Sequence, residues 1–111
     1  ERRSTPNKEN GLFWMMIVKT HKAERRNIVS ICDEELIGKK FEENSMQLDV
    51  SEFFYRGKSM SDKDALDTIR EADSLNIVGK NSIRFALKNN LIEKENIIRI
   101  KKIPHAITLQ K

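Results

Sequence analysis

The chain has 111 residues, 38% hydrophobic and 34% charged, enough for one lean core beneath a heavily charged surface. Twenty-one Lys and Arg against seventeen Asp and Glu leave +4, a surplus that permits an anionic partner without demanding one. One cysteine, Cys32, excludes an intramolecular disulfide and an all-cysteine metal site. The longest apolar run, Leu12–Val18, is far short of the ~20 residues of a membrane helix and lacks a signal-peptide pattern. A cytoplasmic protein with no membrane partner is expected.

Residues Glu1–Gly11 are polar and have nothing apolar to bury. The domain boundary is placed before the pair Met15-Met16: residues 1–14 as a polar tail or extension, 15–111 as a single α+β domain. The β-branched run Leu12–Thr20 suits a central strand, His21–Arg26 a polar turn, and Asn27–Cys32 a second strand. Together they predict a hairpin, although no Asn-Gly pair fixes its register. Asp33 is expected to cap a single helical turn that Gly38 ends. Met46, Leu48 and Val50 alternate with Gln47 and Asp49, the pattern of a short half-buried strand. Ser51 is then placed to cap a turn carrying Phe53, Phe54 and Tyr55.

The clearest helix starts at Ser61, with Asp64 three residues on and Ala65, Leu66, Ile69 and Ala72 along one face. Leu75–Val78 reads as a strand broken by Gly79, and Asn81–Asn90 as a second helix. Asn96–Ile103 reads as the last strand, with Pro104-His105 as its fixed exit. The order predicts a single mixed β-sheet with an N-terminal hairpin, covered by two helices.

Charge is uneven along this plan. Lys19, Lys22, Arg25 and Arg26 face one acid, Glu24, a local +3, and Arg99, Lys101 and Lys102 follow on the last strand. The helix from Asp62 to Asp73 holds five acids against Lys63 and Arg70, a local −3. One basic face would form if the hairpin and the last strand lay on one side, as phosphate backbones require. A solvated hairpin tip and a lysine-guarded edge strand would show the same charges. Phe53, Phe54 and Tyr55 precede Arg56 and Lys58, and an aromatic beside a cation can stack on single-stranded bases. Aromatics are scarce, so two of the three are assigned to the core and Tyr55 to solvent.

Gly79-Lys80-Asn81-Ser82 opens a helix and could hold a phosphate, but Ser74 stands where a nucleotide loop needs glycine. A glycine turn and helix cap explain it better. Cys32 stands before Asp33, Glu34 and Glu35, whose charges raise a thiol pKa. His21 and His105 have no ligand or triad spacing, so no metal, cofactor or catalytic residue is expected.

Cys32-Asp33-Glu34-Glu35-Leu36-Ile37-Gly38-Lys39, Leu48-Asp49-Val50-Ser51-Glu52, Phe54-Tyr55 with Gly57, Glu71-Ala72-Asp73, Asn76, Val78-Gly79 and Ile103-Pro104-His105-Ala106 occur in order. In these pieces the chain from Met16 onward resembles an archaeal family known as domain of unknown function 424. The resemblance implies an archaeal cytoplasmic protein and no known reaction. Members look like companions of the translation machinery, an associational hint toward RNA. The expectation is a non-catalytic RNA-binding protein, ribosome- or translation-associated, with ribosomal RNA and translation proteins as partners. Lys19, Lys22, Arg25, Arg26, Arg56, Lys58, Arg99, Lys101 and Lys102 would contact the nucleic acid, with Arg2, Arg3 and Lys8 extending the surface. The alternatives are a small enzyme or ligand-binding protein centred on Asp33, Glu34 and His105, and a protein–protein adaptor using the acidic helix.

Overall fold

Alternation of apolar and polar residues from Met16 onward produces a twisted sheet whose two faces are covered by different material. The computed structural model describes residues 15–110. Strands β1 (Met16–Ala23) and β2 (Arg26–Cys32) form the first hairpin, in register from Ile17–Cys32 to Ala23–Arg26 across the two-residue turn Glu24-Arg25. A short turn at Glu34–Leu36 leads into a separate hairpin of β3 (Lys40–Glu43) and β4 (Met46–Asp49). Helix α1 (Glu52–Tyr55), strand β5 (Lys58–Met60), helix α2 (Asp62–Ile69), strand β6 (Ser74–Val78) and helix α3 (Lys80–Lys88) follow. Strands β7 (Ile98–Ile100) and β8 (Ile103–Leu109) close the chain.

The six-stranded sheet has the order β5-β1-β2-β6-β8-β7. Only β2 and β6 are parallel. The connection between them carries the β3–β4 hairpin, α1, β5 and α2. One face packs Met16, Val18, Val29, Ile31, Leu75 and Ile77 against Ala65 and Ile69 of α2 and Ile83, Phe85 and Ala86 of α3. The other packs Ile17, Cys32, Val78 and Ile100 against Leu36, Ile37, Leu48, Val50 and Tyr55. The two-helix cover is therefore found on one face, while a turn, a hairpin and a short helix serve the other.

Several sequence expectations need correction. The first strand runs through His21 and Lys22 to Ala23, three residues past Thr20, because cross-strand pairing tolerates polar side chains where one face meets water. The stretch expected as the last strand is divided: Lys101 and Lys102 adopt left-handed φ of 52° and 67° and form a two-residue turn. Lysine carries no hint of that geometry, which usually calls for Asn or Gly. Pro104 and His105 consequently lie inside β8, paired with Arg99 and Ile98, rather than at an exit. β3 and β5 were not anticipated, being four and three residues long and mostly exposed. Helix starts follow their caps: Ser51 Oγ accepts from the Phe54 amide at 3.1 Å and Ser61 Oγ from the Asp64 amide at 3.4 Å. The tail, and Leu12–Trp14 of the first expected strand, lie outside the described residues.

Candidate functional site

Two regions concentrate unusual chemistry, and they lie apart. The first is at the end of the sheet where the parallel strands β2 and β6 both finish. Cys32 pairs with Val78, and Val78 with His105, so three of the motif pieces meet side by side. The Asp33 amide donates to Val78 O at 3.1 Å and the Gly79 amide to Pro104 O at 2.9 Å, tying the strand ends together.

Asp33 does not cap its own turn. Its side chain crosses to α3, where Oδ2 accepts from the Asn81 amide at 2.9 Å. Its Oδ1 accepts from the Ser82 amide at 2.8 Å and the Ser82 hydroxyl at 2.7 Å. The carboxylate thus fills the place an anion would take at this helix N-terminus. Burial pushes its pKa up, and the bonds from Ser82 and Asn81 hold it back. Gly79, at φ 111°, is the residue that allows this approach, since a Cβ there would lie 2.4 Å from the Asp33 carboxyl carbon. Beyond the cap lies a cleft of about 370 Å³, walled by Leu36, Ile103 and Pro104 and rimmed by Glu35, Lys80, Arg99 and Lys102.

The second region is the far half of the face opposite α2 and α3. Alternation places Lys19, His21, Arg26, Ile28, Asn76, Ile107 and Leu109 on that face, where the β3–β4 hairpin and α1 cover only one end. Ile107 and Leu109 are 63% and 71% exposed, and Ile98 on β7 adds to the open surface. At its β1 margin α1 is held by its carbonyls. Ser30 Oγ donates to Phe54 O at 3.0 Å, His21 Nε2 contacts the same oxygen at 2.8 Å, and Lys19 Nζ donates to Phe53 O. His21 stacks on Phe54 with ring centroids 4.2 Å apart. Tyr55, expected in solvent, is buried with its hydroxyl donating to Asn76 Oδ1 at 2.7 Å, and Phe53 is the exposed ring instead, at 79%. The reason is helical geometry: in a one-turn helix only one of three consecutive rings can face the sheet squarely. The Lys19 ammonium lies 4.8 Å from the Phe53 ring centroid, a cation–π contact.

The predicted cations are not on one face. The Glu24-Arg25 tip stands at one end of the sheet and the Lys101-Lys102 turn at the other, separated by about 30 Å along the strands at ~3.3 Å per residue. Lys19 and Arg26 project onto the open face, whereas Lys22 points to the α2 side beside Asp67 and Glu71. Arg56 is engaged by Glu52 at 3.1 Å and Glu34 at 3.4 Å. Lys58 sits exposed on the edge strand β5. Arg99 and Lys102 join Lys80, which sequence reasoning had set aside, at the cleft. Arg2, Arg3 and Lys8 lie outside the described residues.

The residues of the alternative set, Asp33, Glu34 and His105, each have their own surroundings. Asp33 is committed to α3, Glu34 pairs with Arg56, and His105 sits within β8 with a buried Nδ1 that has no hydrogen-bond partner. Burial pushes the Cys32 thiol pKa up, with Asp33 and Glu35 adding to it, so the thiolate is disfavoured. Among the described residues no three His, Cys, Asp or Glu side chains converge as a metal site, and no helix is long and apolar enough to cross a membrane.

Fold and site define a small mixed α+β domain with a cleft where its parallel strands end and a sheet face that α1 and a hairpin cover only in part. The chain belongs to the family described as Protein of unknown function (DUF424), which matches residues 21–110. It is similar in fold to an uncharacterized conserved protein from Methanopyrus kandleri, known from a crystal structure. The TM-score is 0.72 at 22% identity, covering 87% of this chain and 94% of that one. No curated protein matches.

Proposed function

We propose that this protein binds single-stranded RNA without chemistry, on the open sheet face next to Phe53. The exposed Phe53 ring carries the reading. A phenyl group left in water forgoes about 1.5–3 kcal/mol of burial. Here α1 is held in place through Lys19, His21 and Ser30, so the ring is presented on a fixed support. The Lys19 ammonium lies over the ring and His21 stands beside it, yet Phe53 stays 79% exposed, open to a base. Arg26 and the neighbouring tip residue Arg25 offer phosphate contacts at the same end of the sheet. Ribosomal or other translation-associated RNA in the cytoplasm is the first class to try, a choice resting on the family resemblance alone.

The test is fluorescence anisotropy with short single-stranded and duplex RNAs, comparing the parent with Phe53→Ala. Preference for single strands and loss of affinity in the variant support the reading. Equal binding by parent and variant, or no binding to any RNA at low salt, overturns it. The exposed trio Ile98, Ile107 and Leu109 favours a second reading, a protein partner on the same face.

A further inference from the structure

We infer that the cleft at the carboxyl ends of β2 and β6 binds a small organic phosphate monoester, of the size and chemistry of a nucleoside monophosphate. The inference is independent of the RNA reading, since no residue lining this cleft takes part in the Phe53 surface.

Three cations reach the cleft from three elements: Lys80 from the start of α3, Arg99 from β7 and Lys102 from the turn before β8. The opposing carboxylates do not cancel them equally. Both oxygens of Asp33 are turned to Asn81 and Ser82, which leaves Glu35 as the acid free to face a ligand. Because Asp33 also occupies the helix N-terminus, the backbone amides there cannot hold the anion. Recognition falls to the side-chain cations, and a fork-shaped guanidinium beside two ammonium groups suits a phosphate dianion.

Size argues for an organic body on that phosphate. A cleft of about 370 Å³ is far larger than one anion requires, and it lies at the lower end of the roughly 300–1,000 Å³ range of small-molecule sites. Its remaining wall is apolar, from Leu36, Ile103 and Pro104. The cleft lies outside the carboxyl ends of β2 and β6, the parallel pair of the sheet.

The backbone beside the cleft is also costly. Lys101 and Lys102 are both left-handed, a conformation costing about 1–3 kcal/mol for a residue other than glycine. The turn is secured from the second sheet, where Glu43 Oε1 accepts from the Lys101 amide at 2.7 Å. Asparagine and glycine would make this turn without strain but would leave the cleft without the Lys102 ammonium.

The experiment is calorimetric titration of the full chain with AMP, adenosine, inorganic phosphate, and a short RNA carrying either a 5′-phosphate or a 5′-hydroxyl. AMP is expected to bind at least tenfold more tightly than adenosine or inorganic phosphate. Amide shifts on AMP addition should centre on residues 79–82 and 102–104. With Phe53→Ala, which removes the RNA contact proposed above, 5′-phosphorylated RNA matching AMP while the 5′-hydroxyl RNA does not makes the physiological source an RNA end; AMP binding alone makes it a free nucleotide. Arg99→Gln and Lys102→Gln should each weaken AMP about tenfold, Glu35→Gln should strengthen it, and Phe53→Ala should leave it unchanged. Thermal melts of each variant show that it is folded. Absence of AMP binding at millimolar concentration, equal binding of adenosine, or unaltered affinity in both cation variants overturns the inference.

Discussion

Asp33 on the loop after β2 accepts both the amide and the hydroxyl of Ser82, at 2.8 and 2.7 Å, so a strand end caps a helix far along the chain. Gly79, the N-cap residue of α3, has no side chain to do this itself. Replacing Asp33 by Ala leaves the part-buried Asn81 amide and the buried Ser82 amide and hydroxyl without their acceptor. A loss of about 2–4 kcal/mol is expected from urea unfolding, and Asp33→Asn, which keeps one acceptor, should lose less.

Gly79→Ala should destabilise as severely. The new methyl group meets the Asp33 carboxyl at 2.4 Å and must adopt φ 111° as well. If Asp33 is the obstacle, Gly79→Ala and Asp33→Ala will not be additive, and a double-mutant cycle measures the coupling.

Phe53→Ala should leave stability within about 0.5 kcal/mol, because the ring is mostly in solvent. Its effect on single-stranded RNA should be about 1–3 kcal/mol, on the order of five- to a hundredfold in affinity, as for one lost base stack. Duplex RNA should respond much less, which separates stacking from charge.

The charges of the first hairpin should not behave alike. Arg25→Gln with Arg26→Gln should weaken RNA binding and reduce its salt dependence by about two counterions. Lys22→Gln should do little, since that side chain faces Asp67 and Glu71 across the sheet from the proposed surface. Affinities measured over several salt concentrations distinguish the variants, and a slope unchanged by loss of both arginines would show that the tip charges serve only solubility.

His105 predicts a pH effect on stability. Burial lowers its folded pKa below the ordinary 6.5 against a smaller opposing pull from the Ile98 backbone, and its Nδ1 has no hydrogen-bond partner. An unfolded histidine therefore takes up a proton first as pH falls past 6.5, and stability contributed by the neutral ring is lost on acidification. Chemical denaturation between pH 7.5 and 5.5 should show a steeper decline for the parent than for His105→Gln.

Much of this architecture was legible because local signals governed it. Ser51 and Ser61 announced their helices, Gly79 its strand break, and the apolar runs of β1, β2 and β6 their strands. The cleft was not legible, because its parts are joined only by tertiary pairing: nothing in Asp33 announces that it caps α3 across the sheet. Phe53 and Tyr55 exchanged roles for a similar reason. Both are aromatic neighbours on one turn, and which faces water depends on how α1 is docked through Lys19, His21 and Ser30. The Lys101-Lys102 turn hid because a strained conformation leaves no compositional trace, so one strand was read where two exist.

The long excursion between the parallel neighbours β2 and β6 has a consequence for how the molecule assembles. The first hairpin can zip from its own two-residue turn and β6 can pair with β8, but β6 cannot join β2 until the whole intervening chain has been looped out. That closure carries an entropic cost before any contact across it is gained, so the β2–β6 union belongs to the slow, topology-limited stage of folding. Asp33 and Ser82 are 49 residues apart and meet only when it is complete. The cleft is therefore completed only at that stage, when Asp33 caps α3 and brings Glu35 and Leu36 against the wall that carries Lys80, Arg99 and Lys102.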